Sequence, residues 1–172
     1  MNKINLYNPE LSHKNEILDM ISDFERNASA MDGFFGKSKN DWDYENWLET
    51  MRFAEVGLGI PDGFVPYIQY VSFDTQGRAI GFLNLRLRLN DNLMKCGGHI
   101  GYSIRPSERR KGWGKKQLQL GLNQAQTKGI KRVLVTCKED NEASRRIILS
   151  NGGQYENTIA HTQRYWIDME NS

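Results

Sequence analysis

The sequence predicts a mixed α/β fold, a sheet with helices on its faces, and three observations carry that reading. Apolar spacing is helical through the first third of the chain and switches to a period of two at Tyr67. Two strand-like runs then flank "DTQG", whose Asp74 and Gly77 suit a hairpin turn. Strand, glycine bend, helix, strand, helix and strand follow without a long linker. A length of 172 residues with 38% apolar side chains holds one sizeable core, so a single domain over 1–172 is expected.

In order, Ser12 is expected to cap a first helix that turns Ile17, Leu18, Ile21 and Phe24 inward. "ASAMDGFFGKS" reads as a loop, and Asp41 is expected to open a second helix with Tyr44, Trp47, Leu48 and Met51 on one stripe. Gly57, Gly59, Pro61, Gly63 and Pro66 stop it. "YIQYVSF" and "AIGFLNLRLRL" are strands, and alternation of Leu83, Leu85, Leu87 and Leu89 with Asn84, Arg86 and Arg88 predicts one buried and one wet face. "GHIGYSIR" is a third strand, ending at Pro106. A helix to about Lys128 turns Leu118, Leu122 and Ala125 inward, and "RVLVTC" is a strand. Asn141 caps a short helix that "NGG" ends, and "QRYWID" is a last strand.

A net charge of +2 argues against wholesale coating of nucleic acid or membrane surfaces. No apolar run approaches the length of a bilayer span, and the N-terminus lacks an apolar targeting core. Cys96 and Cys137 make no disulfide framework, which suits a reducing cytoplasm. Cys96-x-x-His99 offers two of the four ligands a zinc site needs, so no metal is expected.

The chemistry concentrates in "RRKGWGKKQLQLGL", residues 109–122. A glycine bend at a helix start presents unpaired N–H groups at the positive end of the helix dipole, which is an anion site. Gly112 and Gly114 allow close approach of a phosphate. From 105 to 116 six basic residues, Arg105, Arg109, Arg110, Lys111, Lys115 and Lys116, stand against Glu108 alone, a local charge of +5. Neither the P-loop pattern nor G-x-G-x-x-G is present, because Lys116 follows Gly114-Lys115 and Gln117 stands where the third glycine belongs.

What remains is R-x-x-G-x-G, Arg109 to Gly114, between "GHIGYSIRP" and "VTCKEDNEASRRIILSNGG". This arrangement, from about Tyr67 to Gly153, resembles the acyl-coenzyme A loop of the GCN5-related N-acetyltransferases (GNAT). The resemblance implies a mostly antiparallel central sheet flanked by helices on both faces. It divides the chain into a helical acceptor-side region (1–66), a coenzyme-binding core (67–153) and C-terminal strands (154–172). It also implies an acetyl-CoA-dependent N-acetyltransferase that moves an acetyl group to a primary amine by direct attack in a ternary complex. Arg109, Arg110, Lys111, Gly112, Trp113, Gly114 and Lys115 would then hold the coenzyme pyrophosphate.

By the same resemblance two mid-sheet strands splay, and amides around Ser103 and Ile104 meet the thioester carbonyl. His99 stands where several members carry a glutamate base, and histidine suits that role by its ordinary pKa. Asn141 caps its helix or bonds the pantetheine arm. Ile148 replaces the tyrosine that many members use as general acid, which leaves Ser144, Tyr155, Tyr102 or a water to protonate the thiolate. The acceptor is open. Phe34, Phe35, Asp41, Trp42, Asp43, Tyr44, Glu45 and Trp47 would suit a cationic amine with an apolar body, or simply form an amphipathic helix with a wet acidic face. Pairing of the last strand between subunits would give a homodimer. Two other readings stay open: a catalytically idle acyl-CoA sensor, and a nucleic-acid-binding module using the basic loop 105–116, which the single aromatic Trp113 supports poorly.

Overall fold

The computed structural model describes residues 3–36 and 42–169. Four antiparallel strands lie in the order β1 (Ile4–Tyr7), β2 (Tyr67–Asp74), β3 (Ala79–Arg86) and β4 (Ile100–Ile104). A second antiparallel sheet has the order β5 (Arg132–Lys138), β7 (Thr162–Asp168), β6 (Gln154–Ile159). The helices are α1 (Lys14–Arg26), α2 (Tyr44–Ala54), α3 (Asp91–Lys95), α4 (Trp113–Thr127) and α5 (Glu142–Ser150).

Helices cover both faces. α4 and α5 pack Leu118, Leu122, Ala125 and Ile148 onto Leu83, Leu85, Val133, Val135 and Tyr165. On the other face α1 and α2 bring Ile17, Met20, Ile21, Phe24, Tyr44, Trp47, Leu48 and Met51 onto Tyr67, Val71, Phe73 and Phe82. Full burial of each large apolar side chain contributes roughly 1.5–3 kcal/mol, so these two seams set the layer order. Gly121 lets α4 lie close to β3, since a Cβ there would come within 2.6 Å of Leu83 Cδ1.

Several expectations need correction. Ser12 lies in a one-turn 3₁₀ helix, Leu11–His13, that precedes α1, and His13 takes the N-cap position. The inward stripe of α1 is Ile17, Met20, Ile21 and Phe24, and Leu18, turned about 100° from Ile17, is only half-buried. Asp41 lies outside the described residues, and the cap of α2 is Asp43, which accepts from Asn46 N–H at 3.1 Å. The face of β3 that carries Asn84 is not wet. Asn84 is fully buried and donates to Gln69 Oε1 at 3.3 Å, because α1, α2 and the loop around Gly33 lie over it. β1, α3 and β6 escaped individual notice. Each is short, and β6 is exposed over most of its length, so no apolar period marks it.

Candidate functional site

β4 and β5 are edges of their sheets and share no ladder. They are joined at one end only. His99 N–H donates to Leu134 O at 2.8 Å, and His99 Nδ1 accepts Leu134 N–H at 2.9 Å. The ring thus takes the place of the next backbone rung, and beyond it the two strands open a gap. Arg86 N–H donates to His99 O at 2.7 Å and Arg105 N–H to Ile80 O at 2.9 Å, which sets the phase of the β3–β4 ladder. By the alternation of antiparallel bonding, Gly101 and Ser103 turn their amides to β3, whereas Tyr102 and Ile104 turn theirs into the gap. Of the two expected donors, Ile104 keeps a free direction. Ser103 spends its amide on the ladder and its hydroxyl on Asp32 O at 2.7 Å.

His99 cannot be the general base expected of it. An acceptor at Nδ1 puts the single proton of the neutral ring on Nε2, so taking up another proton would set Nδ1–H against Leu134 N–H. Burial, reinforced by the charge of Arg86, pushes its pKa down to about 4. The sign for stability follows. In the unfolded chain His99 protonates below about 6.5, in the fold only near 4, so its contribution is complete above that window and is lost as pH falls through it. His99→Phe, which leaves Leu134 N–H buried without an acceptor, is expected to cost about 1–3 kcal/mol in urea unfolding at pH 7 and to flatten the pH 4–6.5 part of the stability profile. A turnover-against-pH curve that loses its neutral limb with stability intact would restore His99 as base.

Between β4 and α4 the chain turns through a 3₁₀ helix, Pro106–Glu108, and then curls. Arg110 and Gly112 take left-handed angles, φ 64° and 83°. Gly112 is the N-cap of α4 without a side-chain cap, so the first-turn amides of α4 have no helical partner. A Cβ at Gly112 would meet nothing within 4 Å, whereas one at Gly114 would come within 2.5 Å of Ile147 Cδ1. The two glycines therefore differ: Gly112 leaves the mouth of the loop open, and Gly114 lets α4 pack on α5.

The basic cluster is also divided by the fold. Arg105 is buried, 1% exposed, and bonded to Asp19 and Asp23 at 2.7 and 2.8 Å, so it adds no free charge to the loop. Lys111 pairs with Glu108 at 2.9 Å. The guanidinium of Arg109 reaches back to Ile104 O at 2.9 Å and Ser29 Oγ at 2.7 Å, tying the loop to β4 rather than facing outward. Arg110 and Lys115 remain exposed beside Gly112. Trp113 is buried beneath the loop with Ile4, Ile80 and Ile104.

On the far side of the gap Asn141 caps α5, accepting from Ser144 N–H at 3.1 Å. Ser144 Oγ lies 3.0 Å from Tyr102 Oη. Burial, the leading cause, holds the Tyr102 pKa up at about 12, so the phenol stays protonated. Tyr155 does not join them. It stands on β6, separated from β5 by β7, is exposed, and bonds Thr158 Oγ1 at 2.8 Å. Ile148 is fully buried and bears only on packing. Cys137 is buried in the same core, and the described residues hold no group of three or more metal-ligating side chains. Among them, no helix is long and apolar enough to cross a membrane.

The model of the acetyltransferase (GNAT) domain matches residues 3–154. The chain belongs to the GNAT acetyltransferase family. Its fold matches that of a putative acetyltransferase, yncA, from Salmonella typhimurium solved with acetyl-CoA, at TM-score 0.62 and 15% identity over 98% of this chain and 95% of that one. It also matches RimJ from Mycobacterium smegmatis in complex with CoA-disulfide, at TM-score 0.68 and 16% identity over 98% and 83%. A ribosomal L7/L12 alpha-N-protein acetyltransferase, RimL, in complex with coenzyme A, matches at TM-score 0.66 and 18% identity over 98% and 96%. No curated protein matches this GNAT chain.

Proposed function

We propose that this GNAT chain transfers the acetyl group of acetyl-CoA to a primary amine by direct attack in a ternary complex. The observation that carries the reading is the loop at 110–115, with left-handed Arg110 and Gly112 and open space at Gly112, leading into the uncapped start of α4 next to the splayed edge of β4. Amides of 110–115 would hold the pyrophosphate, helped by the field of Arg110 and Lys115. Bound acetyl-CoA supplies an activated thioester. The amides of Tyr102 and Ile104 are turned to receive the developing oxyanion, and Asn141 stands at the mouth of the gap. The Tyr102–Ser144 pair donates a proton to the leaving sulfur, a role its protonated phenol suits and that Tyr155 and Ile148 cannot fill. With His99 locked by Leu134, the amine loses its proton to water or to another group on the acceptor side.

The nucleic-acid reading loses its support, since Arg105, Arg109 and Lys111 are spent within the fold. The last strand, β7, has β5 on one side and β6 on the other, so it has no edge left to pair between subunits. A homodimer through another surface and a cytoplasmic setting remain part of the proposal.

Isothermal titration with acetyl-CoA is expected to show one saturable site per chain, and thiol release to follow on some members of an amine panel. Binding with no release on any amine would favour an idle sensor, and no heat at millimolar ligand would end the reading. Tyr102→Phe is expected to lower kcat by about 100-fold or more with little change in acetyl-CoA affinity, measured by thiol release and calorimetry. An unaltered kcat would return the proton to solvent.

A further inference from the structure

The face of β3 and β4 that looks toward the 28–36 loop holds a cation that no acid among the described residues pairs with. Arg86 ends β3 opposite His99, and its Nη1 donates to Gly97 O at 3.1 Å. Its Nε is sealed from solvent with no acceptor, and among the described residues Nη2 bonds to no protein group. The buried arginines Arg105 and Arg164 are both ion-paired, the first to Asp19 and Asp23 and the second to Glu156. Space has been made for the guanidinium of Arg86. A Cβ at Gly101 would come within 2.9 Å of its Nη2, and the ring of Phe35 lies 5.7 Å from its central carbon. Phe35 packs in turn on Phe64 and Tyr67, so an apolar wall borders the cation. Burial is the main influence on it and draws its pKa down to about 10, and the charge of Asp32 opposes this from beyond ion-pair distance.

A partly buried guanidinium whose Nε is sealed and which no acid among the described residues pairs with is costly to hold, and a bidentate carboxylate is what such a fork fits. Its position restricts whose carboxylate. Gly101 is the neighbour of Tyr102, whose amide faces the gap, so the group bound by Arg86 lies a short molecular reach from the reacting carbon. α4, which starts at the coenzyme loop, packs on the opposite face of these strands. On this face α1, α2 and the loop around Gly33 lie over the middle of the sheet, and Arg86, partly exposed at the end of β3, marks the rim where the second substrate would enter. Resting on the acetyltransferase reading above, we propose that Arg86 is a specificity-determining residue of the acceptor site and that the acceptor is an amine bearing a carboxylate close to its nitrogen, as in a free amino acid. The acidic side chain of a peptide N-terminus offers the same chemistry.

The test compares kcat/KM over the free amino acids, their amides, their decarboxylated amines, and dipeptides with an acidic or neutral second residue. Wild type is expected to favour the carboxylate over its amide by roughly 10- to 150-fold, the effect of one charged hydrogen-bonded contact. In Arg86→Gln the acid-to-amide ratio should fall toward one, mostly through KM, while acetyl-CoA still binds. Gly101→Ala, which displaces the guanidinium without removing it, should lower the same ratio. Preference for free amino acids over acidic dipeptides assigns the α-carboxylate, and the reverse assigns a peptide. The proposal is overturned if wild type prefers amides or plain amines, or if Arg86→Gln lowers every acceptor equally. Absence of acetyl-CoA binding, or of thiol release with any amine, overturns it together with the acetyltransferase reading, and is recognisable because no acceptor ratio exists.

Discussion

Arg105→Ala is expected to lower the free energy of unfolding by about 3–5 kcal/mol, the largest stability effect we anticipate from one substitution in this chain. Arg105 is 1% exposed. Its Nε donates to Asp23 Oδ2 at 2.8 Å, Nη2 to Asp19 Oδ2 at 2.7 Å and Nη1 to Ala79 O at 3.0 Å. Ser107 Oγ donates to the same Asp23 oxygen. One side chain thus clamps α1 to the end of β4 and to the turn that leads into the 110–115 loop. Its removal leaves Asp23, which is nearly as buried, as an unpaired charge. Arg105→Lys keeps the charge and loses the fork, so it should recover only part of the loss. Urea unfolding at pH 7 measures all three proteins, and a change below 1 kcal/mol would show that the clamp is incidental.

The same clamp sets an acid limit. For Asp19 the hydrogen bond from Arg105 holds the carboxyl below its ordinary range. For Asp23 burial acts to raise it and is outweighed by the bonds from Ser107 and Arg105. Groups whose folded pKa is depressed contribute fully above the unfolded value and lose that contribution as pH falls through the folded one. This loss begins near pH 4, below the window assigned to His99, so stability should decline in two stages on acidification.

Gly112→Val is expected to weaken acetyl-CoA binding by about 100-fold, measured by calorimetry. At φ 83° a β-branched residue carries strain of roughly 1–2 kcal/mol, and its methyl groups would stand in the open side of the loop toward which phosphate must come. Gly114→Ala provides the control. Its Cβ meets Ile147, so it should reduce stability by about 1–3 kcal/mol through overpacking of α4 on α5, with a smaller effect on affinity. Wild-type affinity in Gly112→Val would remove the loop as the coenzyme site.

The expected site was legible to the extent that local backbone chemistry defines it. Asn141 caps α5 as its spacing with Ser144 suggests, and the helix that follows "RRKGWG" begins where the glycines place it. Tyr102 and Ser144, named only among several candidates for the acid, are brought to 3.0 Å by separate elements 42 residues apart. The charge count over 105–116 misled because it weighs each basic side chain alike, while burial and pairing withdrew Arg105 and Lys111. His99 misled for a similar reason: its position suited a base, but its ring was needed to join β4 to β5.

The sequence by itself determined the order of most elements, the glycine bend and the family, since hydrophobic period, turn residues and a helix start are set by neighbours a few positions apart. Only the tertiary structure decided which cations are spent, which histidine nitrogen is taken, and that Arg86 stands without an acid among the described residues. Burial and ion pairing depend on residues far apart in the chain, and their energies appear only when distant segments exclude water together.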